Sequence, residues 1–181
     1  MPANKKTKTT GILAQFDFIV RPLGTILLAM QGPAVVWIST GDSKTELLAA
    51  AKVRFPEMRQ AKNNSSITAA TQQLQELLDR PTTQWTIPLD LQGTDFQKQV
   101  WAAISEIPAG QTVTYQQLAI SIGRKSSVRA VASACGANPV AIVVPCHRVL
   151  RSDGGLGGYR WGLQRKQQLL AREAPLRLTT T

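Results

Sequence analysis

Two apolar, β-rich runs, GTILLAM (24–30) and AVVWIST (34–40), are separated only by Gln31-Gly32-Pro33. Such runs around a Gly-Pro link read as a β-hairpin, so this part of the chain has to build a sheet. Asp42 or Ser43 can cap a following helix across KTELLAAAKVRF, which Pro56 closes. SSITAATQQLQELLDR places Leu74, Leu77 and Leu78 on one helical face and stops at Pro81. WTIPLDL then reads as an edge strand, because Pro88 has no N–H to give to a ladder. Residues 1–92 thus read as a small α+β unit, with residues 1–10 as a polar, basic, mobile tail.

From Gly93 the texture changes to helices joined by short turns. TDFQKQVWAAISEI carries Phe96, Val100, Ala103 and Ile104 at helical spacing, and Pro108 and Gly110 end it. TYQQLAISIG opens on a capping-box arrangement, Thr114-x-x-Gln117, and ends at Gly123. Ser126 or Ser127 can cap VRAVASACGA, with Arg124, Lys125 and Arg129 around its start. Helix, short turn, helix is the pattern of a helix-turn-helix. Ala130, Ala132, Ser133, Ala134, Gly136 and Ala137 are all small, and no Asn or Gln stands where base edges would be read. Those small residues suit close packing on a neighbouring helix, or close approach to a DNA groove without sequence readout.

Charge favours the second reading. Of the net +10, residues 1–92 contribute +3, residues 93–120 contribute −1, and residues 121–181 contribute +8. A surplus confined to one third of the chain suits a polyanionic partner, with nucleic acid ahead of a membrane surface. The apolar fraction of 43% supports an ordinary core. Cys135, Cys146 and His147 are the only Cys and His residues, one short of the four ligands of a structural zinc site. Two cysteines make no disulfide framework. The basic start resembles a signal-peptide n-region, but Gln15 and Asp17 break its apolar stretch. No run reaches the roughly 18 apolar residues of a membrane span. A cytoplasmic, reducing setting is expected.

The chemistry concentrates in VVPCHRVLRSDGGLGGYRWG (143–162). VAIVV (140–144), ended by Pro145, reads as a short buried strand with Cys146 just past its end. A thiol becomes a useful nucleophile when a base or a positive charge favours the thiolate, and His147, Arg148 and Arg151 are close in sequence. Side chains of neighbouring residues on a strand point apart, so a Cys146–His147 contact needs a turn or a bridging water. An orienting partner for His147 would be Asp153 or Glu173, the only acidic residues of the basic third. Glu173, on a final helix LQRKQQLLARE, has the alternative of an ion pair with Arg172 or Arg177. Cys135, inside the small-residue helix, reads as a small core hydrophobe. Tyr159 and Trp161 offer flat surfaces for a ring, or rim packing.

NPVAIVV followed by PCHRV, with GYRWGLQRKQQLLAREA, TDFQKQVWAAISEIPAGQTVTYQQLA and SVRAVASACGANP in order, resembles the O6-alkylguanine-DNA alkyltransferases, also called methylated-DNA–protein-cysteine methyltransferases. GTILLAM and AVVWISTGD match more weakly. The RAVASAC and YRWG segments look most like the C-terminal half of the bacterial adaptive-response regulator. The resemblance implies an α/β fold. A ribonuclease H-like N-terminal α+β domain with a three-stranded antiparallel sheet (1–92) would precede a mostly helical domain (93–181) with a helix-turn-helix.

It implies roles as well. Cys146 would take the alkyl group from O6 of guanine, or O4 of thymine, and keep it as a thioether, so that each molecule acts once. His147, through a water, would be the base, with Glu173 orienting it. Tyr115 would assist the leaving guanine, and Asn138 would shape the turn before the active cysteine. The Val149 backbone and the loop with Tyr159, Arg160 and Trp161 would line the guanine pocket, with Lys166 beside it. Thr114, Arg124, Lys125, Ser127, Arg129, Ala130, Ala134, Gly136 and Arg151 would meet DNA through the minor groove, Arg129 filling the gap left by the flipped base. The partner implied is double-stranded DNA bearing O6-alkylguanine, met by a monomer, with cooperative binding left open. No metal or cofactor is expected. Two other readings remain: a non-catalytic lesion sensor or helix-turn-helix regulator, and a cysteine hydrolase using Cys146 and His147.

Overall fold

The computed structural model describes residues 13–174; the basic tail expected at 1–10 and the suggested partner Arg177 lie outside them. The hairpin forms as expected, as β2 (Gly24–Gln31) and β3 (Ala34–Gly41). β1 (Gln15–Arg21) pairs antiparallel with β2 from Gln15↔Met30 to Arg21↔Gly24. The sheet is not three-stranded. A two-residue strand β4 (Arg59–Gln60) adds in parallel to β1 through Gln15↔Arg59 and Phe16↔Gln60, giving the order β3-β2-β1-β4. Two residues leave no periodicity to read in a sequence, and only the tertiary path brings them there.

The sheet is covered on both faces, which explains why β2 and β3 are apolar at nearly every position. Side chains alternate across a strand. Ile26, Leu28 and Met30 enter the main core, and Leu27 and Ala29 enter a second cluster. The second cluster is closed by Leu47 and Ala51 of α1 (Lys44–Arg54), whose N-cap is Ser43. The main core receives Ile67, Ala70, Leu74 and Leu78 of α2 (Ser65–Asp79), and Val100, Trp101 and Ile104 of α3 (Asp95–Ser105). Each such fully buried large side chain contributes about 1.5–3 kcal/mol relative to exposure.

WTIPLDL is not a strand. Its contact with β3 shrinks to a single bridge, Val35↔Leu89, with Val35 N donating to Pro88 O. The rest of the segment is drawn away from the sheet, because Gln73 of α2 accepts from Thr86 N and donates to Thr86 Oγ1. VAIVV is not a strand either. Only Val140 bridges, to Ile38, and the chain then turns through Ile142 at φ 73°. A β-branched residue in the left-handed region costs on the order of 1–3 kcal/mol and persists only where packing enforces it. Both bridges lie on β3, so the two segments also protect that edge strand.

The remaining elements frame a cleft. β5 (Val113–Thr114) pairs in parallel with β6 (Val149–Leu150). Thr114 caps α4 (Tyr115–Ser121) with the expected capping box. Gly123 at φ 69° turns the chain toward α5 (Val128–Gly136), whose N-cap residue Ser127 makes no side-chain cap bond. α6 (Leu163–Glu173) occupies the residues expected for the final helix. No described helix is long and apolar enough to cross a membrane.

Candidate active site

Cys146, His147 and Arg148 form a single 3-10 turn between the Ile142 bend and β6. All three are buried, so Cys146 is not the exposed residue past a strand end that the apolar run suggested. The turn lets the adjacent side chains leave the chain without the opposition a strand would impose. Asn138, fully buried, holds the bend: its Nδ2 donates to Val144 O at 2.8 Å and to Cys146 Sγ at 3.2 Å, and its Oδ1 accepts from Val140 N. Burial pushes the Cys146 thiol up to about 11, despite the Asn138 hydrogen bond and the Lys166 charge, which pull it down. At neutral pH the resting group is a thiol that needs a base.

His147 is the ionisable group next to it in the chain. Its Nε2 lies 2.9 Å from Glu173 Oε1 at the end of α6, and its buried Nδ1 has no partner among the described residues. Burial lowers the affinity of His147 for a proton, and the Glu173 hydrogen bond works against that. Glu173 is thus the acidic partner. Asp153 sits exposed at the surface, paired with Arg151 at 3.1 Å. Nor does Glu173 pair with Arg172, which donates to Leu78 O. Its partner is Arg148, which donates from Nε to Oε2 at 2.9 Å and from Nη2 to Oε1 at 2.9 Å, while Nη1 reaches Ile107 O. Gly110 N adds a further donor at 3.0 Å. Burial alone would raise Glu173; the hydrogen bonds from His147 and Arg148 overcome it and hold the carboxyl at about 2.

Arg148 was read from the sequence only as a positive charge near the thiol; the structure buries it and pairs it with Glu173. The available signal was its position in an otherwise apolar run, where a buried guanidinium requires a carboxylate.

A half-open cavity of about 810 Å³ opens on Cys146 between α5 and the 151–160 loop. Tyr115, Arg129, Gly136, Arg151, Tyr159 and Arg160 line it, and so does Cys135, whose thiol burial pushes up to about 12. Tyr115 Oη donates to Gly158 O at 3.4 Å, and burial raises the phenol to about 12, so it remains a donor. Gly157 sits at φ 66° against this phenol, where a Cβ would come within 2.9 Å of the ring. Tyr159 packs edge-on to Trp161 at 5.2 Å, and its buried hydroxyl has no partner among the described residues.

Val149, Trp161 and Lys166 stand behind this wall rather than on it. Lys166, fully buried, donates to Val149 O at 2.6 Å and to Leu156 O, tying β6 to the loop. Burial brings its ammonium down to about 8.

Arg124, Lys125, Arg129, Ala130 and Gly136 are exposed around the α4–α5 face, with Thr114 and Ser127 partly exposed. Ala134, expected on that face, is buried, and its carbonyl accepts Trp101 Nε1 at 2.8 Å. Its carbonyl thereby ties α5 to α3. Among the described residues no three Cys, His, Asp or Glu side chains converge to hold a metal ion.

Residues 95–175 match the family model described as 6-O-methylguanine DNA methyltransferase, DNA binding domain. Over 170 residues the chain is 37% identical to the methylated-DNA–protein-cysteine methyltransferase of Mycolicibacterium paratuberculosis, covering 92% of this chain and 98% of that one. The chain belongs to the methylated-DNA–protein-cysteine methyltransferase family. It is also 48% identical over 151 residues to the regulatory protein Ada of Salmonella typhimurium; the match covers 83% of this chain but 43% of that protein. The chain thus spans less than half the length of Ada. The crystal structure of Mycobacterium tuberculosis OGT in complex with DNA aligns with a TM-score of 0.76 at 34% identity, over 89% of this chain and 93% of that one. This methyltransferase fold combines a mixed, largely antiparallel sheet with helices.

Proposed function

We propose that this protein repairs DNA by moving a methyl or other alkyl group from O6 of guanine, or O4 of thymine, onto Cys146, irreversibly and once per molecule. One observation carries the reading: a buried thiol, unreactive by itself at neutral pH, faces an open cavity beside a histidine anchored to a carboxylate.

The chemistry balances. His147 Nδ1 takes the Cys146 proton through a water, and the Glu173 carboxylate, pinned by Arg148, stabilises the imidazolium. Sγ then attacks the alkyl carbon in line as the carbon–O6 bond breaks, and its electron pair returns to the guanine ring. Tyr115 donates a hydrogen bond to the departing guanine anion, and the proton held on His147 passes through water to guanine N1, leaving a neutral base and a neutral imidazole. A thioether is no leaving group under these conditions, so Cys146 is not regenerated. No cofactor takes part.

The base is hidden inside the duplex and has to be flipped out, at a cost of a few kcal/mol that is least for a damaged base. In this reading α4, its turn and α5 form a helix-turn-helix set in the minor groove, with Arg129 in the gap left by the flipped base. Arg124, Lys125, Ser127, Ala130, Gly136 and Arg151 lie along the duplex. The helical unit is residues 93–181, and residues 1–92 form an N-terminal unit of ribonuclease H-like type. The relative of known structure bound to DNA supports the choice of partner.

The test is intact-mass analysis after incubation with duplex DNA containing O6-methylguanine. The expected result is one methylene-sized gain on the Cys146 peptide, saturating at one per molecule. No gain overturns the proposal, and DNA binding without gain would favour a lesion sensor.

A further inference from the structure

Arg160, an exposed loop residue, lines the cavity, yet its guanidinium lies against the sheet. It stacks 4.9 Å over the ring of Trp37 on β3 and 5.9 Å over Trp161 on its own loop. Trp37 is itself immobile: it is buried in the cluster under α1, and its Nε1 donates to Ser39 Oγ at 3.0 Å. The neighbouring segment is bolted down by Arg165 of α6. That side chain donates to Trp161 O and Leu23 O, both at 3.0 Å, and pairs with Asp42 just beyond β3. Residues 160–165 are thus fastened to the open end of the hairpin through Leu23 and Asp42, and to Trp37 on β3.

Among the described residues the charge held there has no counterion. Of the rim arginines, Arg151 is paired with Asp153. Arg160 makes no ion pair among the described residues. Burial, and after it the nearby charge of Arg54, weaken its hold on its proton, while Arg54 itself is spent on Gln92 O. A fixed guanidinium with a cation beside it and no carboxylate gains by meeting an anion. Its position decides which anion. A base inserted toward Cys146 leaves its own phosphates at the cavity mouth, where Arg160 stands.

Resting on the alkyltransfer reading above, we propose that Arg160 is the contact for a phosphate of the extruded nucleotide, and that Trp37, which touches no DNA, positions it. A planar guanidinium gives phosphate a bidentate partner, and stacking on an indole pre-orders the side chain before DNA arrives.

The test is binding of duplex DNA bearing O6-methylguanine, followed over a salt series. Arg160→Gln is expected to lower the slope of log affinity against log salt by about 0.9. Its disadvantage relative to the parent then shrinks about threefold between roughly 50 and 200 mM salt. Arg160→Lys is expected to restore the slope. Trp37→Leu is expected to weaken binding several-fold, with Trp37→Phe rescuing it. The pair Trp37→Leu/Arg160→Gln is expected to bind no more weakly than Arg160→Gln alone, because the two act through one contact.

A parent-like slope in Arg160→Gln overturns the phosphate contact. Additive losses in the double variant overturn the role of Trp37. Because Arg160 is a rim residue, its result stands even if Trp37→Leu fails to fold. The mass gain on Cys146 in the parent protein is read separately, so failure of alkyl transfer is distinguishable from failure of this contact.

Discussion

His147 Nε2 and Glu173 Oε1 lie 2.9 Å apart although 26 residues separate them along the chain. The same carboxylate takes three hydrogen bonds from Arg148, so one side chain at the end of α6 anchors the imidazole and neutralises a buried guanidinium. Glu173→Gln is expected to cut alkyl transfer by roughly 100-fold or more, because His147 loses the carboxylate that orients it and stabilises its protonated form. It should also cost about 3–5 kcal/mol, because Arg148 is left buried and uncompensated. Single-turnover transfer rates and denaturant midpoints check the two effects separately.

Acid should unfold the protein in two overlapping stages. His147 is held below its usual 6.5 by burial, so the unfolded chain binds its proton first, and stability falls as pH drops from about 6.5. Glu173, held at about 2, contributes stability that is whole above its usual 4.5 and is lost as pH falls toward 2. Urea midpoints between pH 7 and 3 are expected to fall throughout. In Glu173→Gln the lower limb should flatten.

Cys146 should be sluggish toward a small neutral thiol reagent at pH 7 and gain about tenfold per pH unit toward its value near 11. Asn138→Ala removes the donor to Sγ and strands Val140 N, whereas Val144 O keeps the hydrogen bond from Cys146 N. It is expected to shift that profile further alkaline and to destabilise by about 1–3 kcal/mol for the stranded group. Iodoacetamide kinetics followed by mass read the first effect, and thermal melts the second.

Two glycines should respond in opposite ways. Gly157→Ala places a Cβ 2.9 Å from the Tyr115 ring at φ 66°, so the phenol must move. The strain is about 1–2 kcal/mol, and transfer should drop about tenfold or more. At Gly136, in α5, a Cβ meets nothing within 4 Å. Gly136→Ala is expected to raise stability by up to about 1 kcal/mol through helix propensity, while weakening DNA binding if this face enters the groove. A melt and a binding titration on each variant decide both.

Several features could be read without a structure because their causes are local. The β2–β3 hairpin follows from two apolar runs and a Gly-Pro turn, and the α4 start from the Thr114–Gln117 box. The bounds of α6 follow from its periodicity. VAIVV misled because continuous apolarity marks burial, not extension: at Ile142 the packing chose a left-handed bend. Arg148 was legible only as a positive charge near Cys146, since nothing nearby in sequence announces that its partner is Glu173. β4 and Trp37 were illegible for the same reason, their partners lying far along the chain.

The sequence alone determined the β2–β3 hairpin and the helices, the Cys-His dipeptide at 146 and 147, and the basic final third. These depend on side-chain period, turn chemistry and charge count, all of which act over a few residues. Only the tertiary structure decided that Glu173 rather than Asp153 meets His147, that Ala134 is buried, and that Arg160 rests on Trp37. Such partners are chosen by long-range chain closure and burial, where a buried charge must find its counterpart wherever the fold brings one.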